Sequence, residues 1–176
     1  MFMGIGMRTL YLLRHAKSSW ADPSLADHDR PLNGRGRRAA PLMGAYLREG
    51  GHQPDLVLCS TAARTRETLA AVMEELDVEP EIDWDGDLYL AAPQQLLDLV
   101  RSVADTVESV LMVAHNPGTA ILAHVLCADG DAAELDLMRT KFSTATLAII
   151  DLEVDRWEEV RSDCGRLRSF TRPRDL

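Results

Sequence analysis

The stretch Thr9-Leu10-Tyr11-Leu12-Leu13-Arg14-His15 decides the fold. Its apolar run is too short for a helix, lacks the alternation of a half-exposed strand and stops abruptly at two basic side chains. Such a run is a strand buried on both faces, the kind found in a parallel sheet covered by helices. Two further runs repeat the pattern: Asp55-Leu56-Val57-Leu58-Cys59 leads into Ser60, and Val110-Leu111-Met112-Val113-Ala114 leads into His115. Asn33 is a candidate cap for a helix over 34–49 that Gly50-Gly51 terminates, with Pro41 falling inside it. Ser60 or Thr61 is the candidate cap of a helix reaching Leu76, Glu81 to Trp84 reads as a brief strand, and Pro93 opens a helix to Val103. A helix over 118–126 follows, and the tail predicts two strands, 144–152 and 156–160, around a turn at 153–155. Strands alternating with helices imply an α/β, three-layer domain with a mostly parallel sheet, whose ligands bind outside the carboxyl ends of its strands.

Working outward, 176 residues are one domain's worth of chain, 1–176, and no repeat or linker divides them. The balance of 19 basic against 28 acidic residues gives a net charge of −9, which repels nucleic acid and anionic membrane alike. No apolar run approaches the roughly 18 residues of a spanning helix. The lead-in over 1–7 lacks the basic start and cleavage site of a secretory signal. Three cysteines, Cys59, Cys127 and Cys164, show no C-x-x-C spacing and read as inert thiols. Together these features predict a cytoplasmic protein without membrane or nucleic-acid partners.

Against that acidic background the three strand ends are basic. Arg14 and His15, Arg64 after Ser60, and His115 would converge on one crevice if their strands are neighbours, with Lys17 close by. Arginine presents a planar fork that matches phosphoryl oxygens in pairs, and a helix start adds backbone N–H groups. No P-loop, dinucleotide fingerprint, H-E-x-x-H or G-x-S-x-G occurs, and His115 and His124 are not spaced for one helical face. No metal and no cofactor is expected. A phosphate site of this kind needs its own nucleophile, and a histidine whose second ring nitrogen is held by a carbonyl presents a neutral lone pair near pH 7.

These residues resemble a known family. Leu10-Tyr11-Leu12-Leu13-Arg14-His15-Ala16 is similar to the R-H-G signature of the histidine phosphatase superfamily, with Ala16 in place of the usual glycine. Ser60-Thr61-Ala62-Ala63-Arg64-Thr65 resembles its S-x-x-x-R helix start, and Val113-Ala114-His115-Asn116-Pro117-Gly118 its second-histidine motif. The segments Arg14 to Trp20 and Asp29-Arg30-Pro31-Leu32-Asn33 to Gly36 are similar to the small SixA-type branch of phosphohistidine phosphatases. The resemblance implies a phosphoglycerate mutase-like fold and a metal-independent phosphohydrolase. His15 would become transiently phosphorylated, while Arg14, Arg64 and His115 hold the phosphoryl oxygens. Lys17, Ser60 and Asn116 are candidate substrate-binding residues, Ser60 and Asn116 with equally good structural roles as helix cap and loop anchor.

The chain departs from larger branches in lacking an acid after His115, where Asn116 stands; Asp85 and Asp87 are the weak alternatives. A phosphohistidine protonated on its far nitrogen leaves as neutral imidazole, so it needs no general acid, whereas an alkoxide does. The expected substrate is therefore a phosphorylated protein carrying phosphohistidine. A small-molecule phosphoester, of a sugar or nucleotide, is the alternative, and a non-catalytic phosphoprotein-binding module a further one. Arg35, Arg37 and Arg38 read as a solvated face or a contact for an acidic partner, Asp29-Arg30 as an ion pair ordering a long loop near the pocket or equally a substrate contact, and Trp20 and Trp84 as packing residues or a pocket rim. The arginines between Arg166 and Arg174 lack the aromatic interleaving of a nucleic-acid surface.

Overall fold

Each of the three apolar runs forms a strand, and the three lie side by side. The computed structural model describes residues 6–176, so of the lead-in only Gly6 and Met7 fall within it. In chain order the main elements are β1 (Arg8–Arg14), α1 (Gly34–Glu49), β2 (Leu56–Ser60), α2 (Ala63–Met73), β3 (Glu81–Asp85), α3 (Pro93–Arg101), β4 (Ser109–Ala114), α4 (Gly118–Leu126), β5 (Cys127–Gly130), α5 (Ala132–Thr140), β6 (Leu147–Leu152) and β7 (Gly165–Thr171). They build one seven-stranded sheet in the order β3-β2-β4-β1-β6-β7-β5. The pairs β3–β2, β2–β4, β4–β1 and β7–β5 are parallel, while β6 runs antiparallel to both β1 and β7. The sheet is thus mixed but mostly parallel, with β6 alone reversed.

Helices cover both faces, which is why β1 is apolar without alternation. Leu10 and Leu12 pack with residues of α3, α4 and α5, whereas Tyr11 and Leu13 pack with residues of α1 and α2. Chain direction explains the division. The crossovers from β1 to β2 and from β2 to β3 move one way along the sheet, and those from β3 to β4 and β4 to β5 move the other way. Right-handed connections that reverse direction must pass over the opposite face. The chain leaving β4 therefore turns away from the chains leaving its two neighbours, β1 and β2. A crevice opens at that switch point, beyond the carboxyl ends of the strands.

Glycine serves close approach at two places. A Cβ at Gly36, in the first turn of α1, would overlap the Lys17 carbonyl oxygen, and one at Gly118, opening α4, would overlap the Ala91 carbonyl oxygen. α1 runs unbroken through Pro41, and Asn33 caps it by accepting from the Gly36 amide at 2.9 Å.

Several expectations need correction. Ser60 and Thr61 do not cap α2, which starts after Ala62 and ends at Met73 rather than Leu76, because Ser60 is still in the sheet opposite Asp85. α3 stops at Arg101, two residues short of Val103. The segment 156–160 is not a strand. Trp157–Glu159 form a short 3-10 turn that buries Trp157, whose indole Nε1 donates to the Val107 carbonyl at 2.7 Å. The strand that pairs with β6 is instead β7, whose alternating arginines masked its pattern: Arg166 pairs with Asp129 at 2.5 Å and Arg168 with Asp151 at 2.5 Å. β5 and α5, unread in the sequence, fill the interval before β6; Asp131 caps α5 from the Ala133 and Glu134 amides. All three cysteines are buried and unpaired, and burial lifts the Cys59 and Cys127 thiols to about 12. No helix is long and apolar enough to cross a membrane among the described residues.

Candidate active site

The strand order β2-β4-β1 brings the three basic strand ends together. His15 follows β1, His115 follows β4, and their rings lie 5.2 Å apart between centroids. The backbone holds His15 from both sides: its amide donates to the Ala114 carbonyl at 3.2 Å, and its carbonyl accepts from Ala145 at 3.0 Å. His15 Nδ1 lies 2.7 Å from the Ala16 carbonyl oxygen. A carbonyl only accepts, so Nδ1 carries the proton and Nε2 of the neutral ring presents its lone pair. Arg64 Nε points a proton at that lone pair from 3.3 Å. Burial, followed by the charges of Arg64 and Arg14, pushes the His15 pKa down to about 4 against the raising effect of the Ala16 carbonyl.

Arg64 reaches the site from the first turn of α2 and is 4% exposed. Its two terminal nitrogens are occupied by the long loop after β1: Nη1 donates to the Asp27 carbonyl at 2.6 Å, and Nη2 to the Asp27 carboxylate at 3.0 Å. One turn further along α2, the Thr68 hydroxyl accepts from the Ala16 amide at 2.9 Å and donates to the Arg64 carbonyl at 2.6 Å. The peptide that fixes the His15 tautomer is thereby tied to the helix that carries Arg64.

His115 is 2% exposed, and its Nε2 is 2.8 Å from Ser60 Oγ. Ser60 Oγ already accepts the Ala62 amide, so its own proton is free for the ring, while His115 Nδ1 is buried without a partner. Burial, then the His15 and Arg64 neighbours, lowers the His115 pKa to about 3. Arg14 Nη1 and Asn116 Nδ2 both donate to the Phe142 carbonyl, each at 2.9 Å. Asn116 thus ties the loop after β4 to the segment before β6.

These residues line an open recess of about 220 Å³, whose wall includes Arg14, His15, Lys17, Arg64, His115 and Asn116. Ser60 is fully buried behind it and touches it only through His115. Asp85 and Asp87 are absent from the lining, and Asp85 turns its carboxylate back to the Asp87 amide at 2.7 Å.

Comparison with known proteins fits this geometry. Residues 10–87 match the model of the histidine phosphatase superfamily (branch 1). A solved structure assigned as phosphohistidine phosphatase SixA from Nakamurella multipartitia superposes with a TM-score of 0.82 at 33% identity, covering 96% of this chain and 97% of that one. The chain belongs to the histidine phosphatase superfamily, in its SixA-like branch. A second SixA structure, so assigned from Agrobacterium tumefaciens, gives 0.77 at 30% identity over 93% of this chain and 97% of that one. Uncharacterized protein Rv1276c of Mycobacterium tuberculosis (strain ATCC 25618 / H37Rv) is 39% identical over 164 residues, 92% of this chain and all of its own length. This SixA-like chain is accordingly a phosphatase of phosphoglycerate mutase-like fold.

Asp27, Tyr89 and Thr68 escaped sequence reading, and Arg30 has a different partner from the one expected. In this histidine phosphatase the buried Arg30 does not pair with its neighbour Asp29. It pairs with Asp27 at 2.7 Å, donates to Ser18 Oγ and the Ser19 carbonyl, and stacks 3.3 Å over the Trp20 ring. Trp20 does stand at the recess, whereas Trp84 lies half-exposed on β3 away from it. Tyr89 donates to the Asp27 carboxylate at 2.6 Å and sets its ring edge-on to His115. Thr68 alone left a readable trace, one helical turn after Arg64.

Proposed function

We propose that this chain hydrolyses phosphohistidine on proteins through a phosphoenzyme intermediate at His15. The observation that carries this reading is the His15 Nδ1 bond to the Ala16 carbonyl, which directs the lone pair of Nε2 towards Arg64 and the recess. In the first step that lone pair attacks phosphorus. The P–N bond of the substrate breaks, and its electron pair leaves with an imidazole already protonated on its far nitrogen. In the second step water attacks phosphorus, the bond to Nε2 breaks, the water's proton passes to solvent, and inorganic phosphate departs.

Arg14 and Arg64, as cations, and the neutral ring of His115, as a hydrogen-bond donor, are the groups that hold the phosphoryl oxygens, and positioned charges and dipoles of this kind stabilise the in-line transition state. Arg64 Nε gives up its contact with His15 as the P–N bond forms and turns to an oxygen. Lys17 and Asn116 border the same recess, and Ser60 orients His115. The only carboxylate held against Arg64 among the described residues is Asp27, and its hydrogen bond from Tyr89, followed by the Arg64 bond, keeps it below the usual carboxylate range. An acid that stays ionised is a poor proton donor, which favours a leaving group that needs none.

The test is rapid-quench hydrolysis of a phosphohistidine protein beside p-nitrophenyl phosphate and a sugar phosphate, with EDTA present. Expected are faster turnover of the phosphohistidine, acid-labile phosphate trapped on the wild type but not on His15→Ala, and no effect of EDTA. Faster turnover of the sugar phosphate would overturn the substrate and leave the nucleophile in place.

A further inference from the structure

Beside the recess that contains His15 lies a second, smaller one, of about 90 Å³. Five cations surround it: Lys17 after β1, Arg35 in the first turn of α1, Lys141 after α5, and Arg172 and Arg174 after β7. No carboxylate belongs to its lining, although Arg172 is paired from outside by Asp175 at 2.7 Å. Lys17, Arg35, Lys141 and Arg174 form no ion pair among the described residues.

In a chain of net charge −9 this is a local gathering of positive charge. Like charges repel, and Arg35 stands where the helix dipole disfavours a cation, in a first turn that holds no acidic residue. The backbone that carries Lys17 is nonetheless held in place. The Lys17 carbonyl accepts from the Asn33 amide at 2.9 Å and lies against Gly36, which seats Lys17 on the start of α1. Lys17 and Thr144 line both recesses, so the two adjoin.

We infer that the second recess is a subsite for another anionic group on the same substrate molecule whose phosphoryl group enters at His15. A carboxylate or a phosphate has the size and charge to fit. On the reading proposed above, on which this inference rests for its first arm, the anion is an aspartate or glutamate near the phosphohistidine; on a small molecule it is a second phosphate.

The test is the triple variant Arg35→Gln/Lys141→Gln/Arg174→Gln, which leaves every residue of the first recess intact. Steady-state kinetics compare phosphohistidine peptides with and without flanking acidic residues, and fructose 1,6-bisphosphate with fructose 6-phosphate. Expected is a rise in KM of about tenfold or more, at unchanged kcat, for whichever doubly anionic substrate the wild type prefers, and a change below twofold for its singly anionic counterpart. Loss of the preference in 0.5 M salt supports the same assignment. If the wild type ignores phosphohistidine but the triple variant shows the selective loss on the bisphosphate, the subsite stands and the proposed substrate fails. Equal effects on singly and doubly anionic substrates in both arms, or no effect in either, overturn the subsite.

Discussion

The Asp27 carboxylate lies 3.0 Å from Arg64 Nη2, so the arginine that faces His15 is fastened at its far end to a loop. Two consequences oppose each other. The bond orients Arg64 Nε towards His15, and it places a negative charge beside the site of an incoming anion. Asp27→Asn is expected to lower kcat about tenfold, as a loosened catalytic group does, while inorganic phosphate inhibits more strongly. Because Asp27 is half exposed, unfolding free energy should change by less than about 1 kcal/mol. Initial rates with phosphate as inhibitor, beside a urea titration, read both; an unchanged kcat would show that Arg64 is held without Asp27.

Acid should weaken the fold before most carboxylates titrate. The unfolded chain binds protons at His15 and His115 near pH 6.5, but the folded chain binds them only near 4 and 3. Protonation therefore favours the unfolded state. Their contribution is complete above pH 6.5 and is lost as pH falls from there to about 4 for His15 and about 3 for His115, with a limiting slope of about 1.4 kcal/mol per unit of pH for a single such ring. Urea unfolding at pH 7.5, 5.5 and 4.5 checks this: the wild type should weaken steadily, and His15→Asn should weaken less steeply. Equal slopes would place His15 at its ordinary pKa.

Thr68 connects Arg64 to the Ala16 peptide without itself lining the recess. Thr68→Val keeps the shape but leaves the buried Ala16 amide without an acceptor, at a cost of about 1–3 kcal/mol. The expected result is a loss of stability in that range together with a fall in kcat at nearly constant KM. Thr68→Ser, which restores the hydroxyl, should recover most of both, and a failure of serine to rescue would assign the effect to packing.

Gly118 meets the Ala91 carbonyl oxygen where α4 starts, directly after the His115 loop. Gly118→Ala forces these backbones apart, so it should lower the melting temperature and reduce turnover together. Gly34→Ala is the control, since a Cβ there meets only the flexible end of Arg38. Equal behaviour of the two variants would contradict the close packing at Gly118.

How much of this was legible in the sequence varies along the chain for physical reasons. β1, β2 and β4 are buried on both faces, and burial of that kind writes itself as uninterrupted apolar residues. The residues at their ends were legible for the same reason, since a strand's end in a parallel sheet is where polar groups can gather. β7 was hidden because Arg166 and Arg168 find acidic partners outside the strand itself, so its charge suggested a solvated tail. Ser60 was misread as a helix cap because its hydroxyl is used by His115, a residue 55 positions away. Asp27, Tyr89 and Arg30 meet through loops, whose paths depend on tertiary contacts that leave no period in the sequence.

The strand order also governs when the chain can become active during its synthesis. β4 inserts between β1 and β2, strands made much earlier, and only then does His115 stand beside His15. Until some hundred residues have followed His15, it lacks its second histidine and the sheet that buries it. Pairings between segments so distant form slowly, because loop-closure entropy must be met first. In a nascent chain His15 and Arg64 therefore emerge well before the strand that brings His115 to them, and the recess takes shape only when that central strand is inserted.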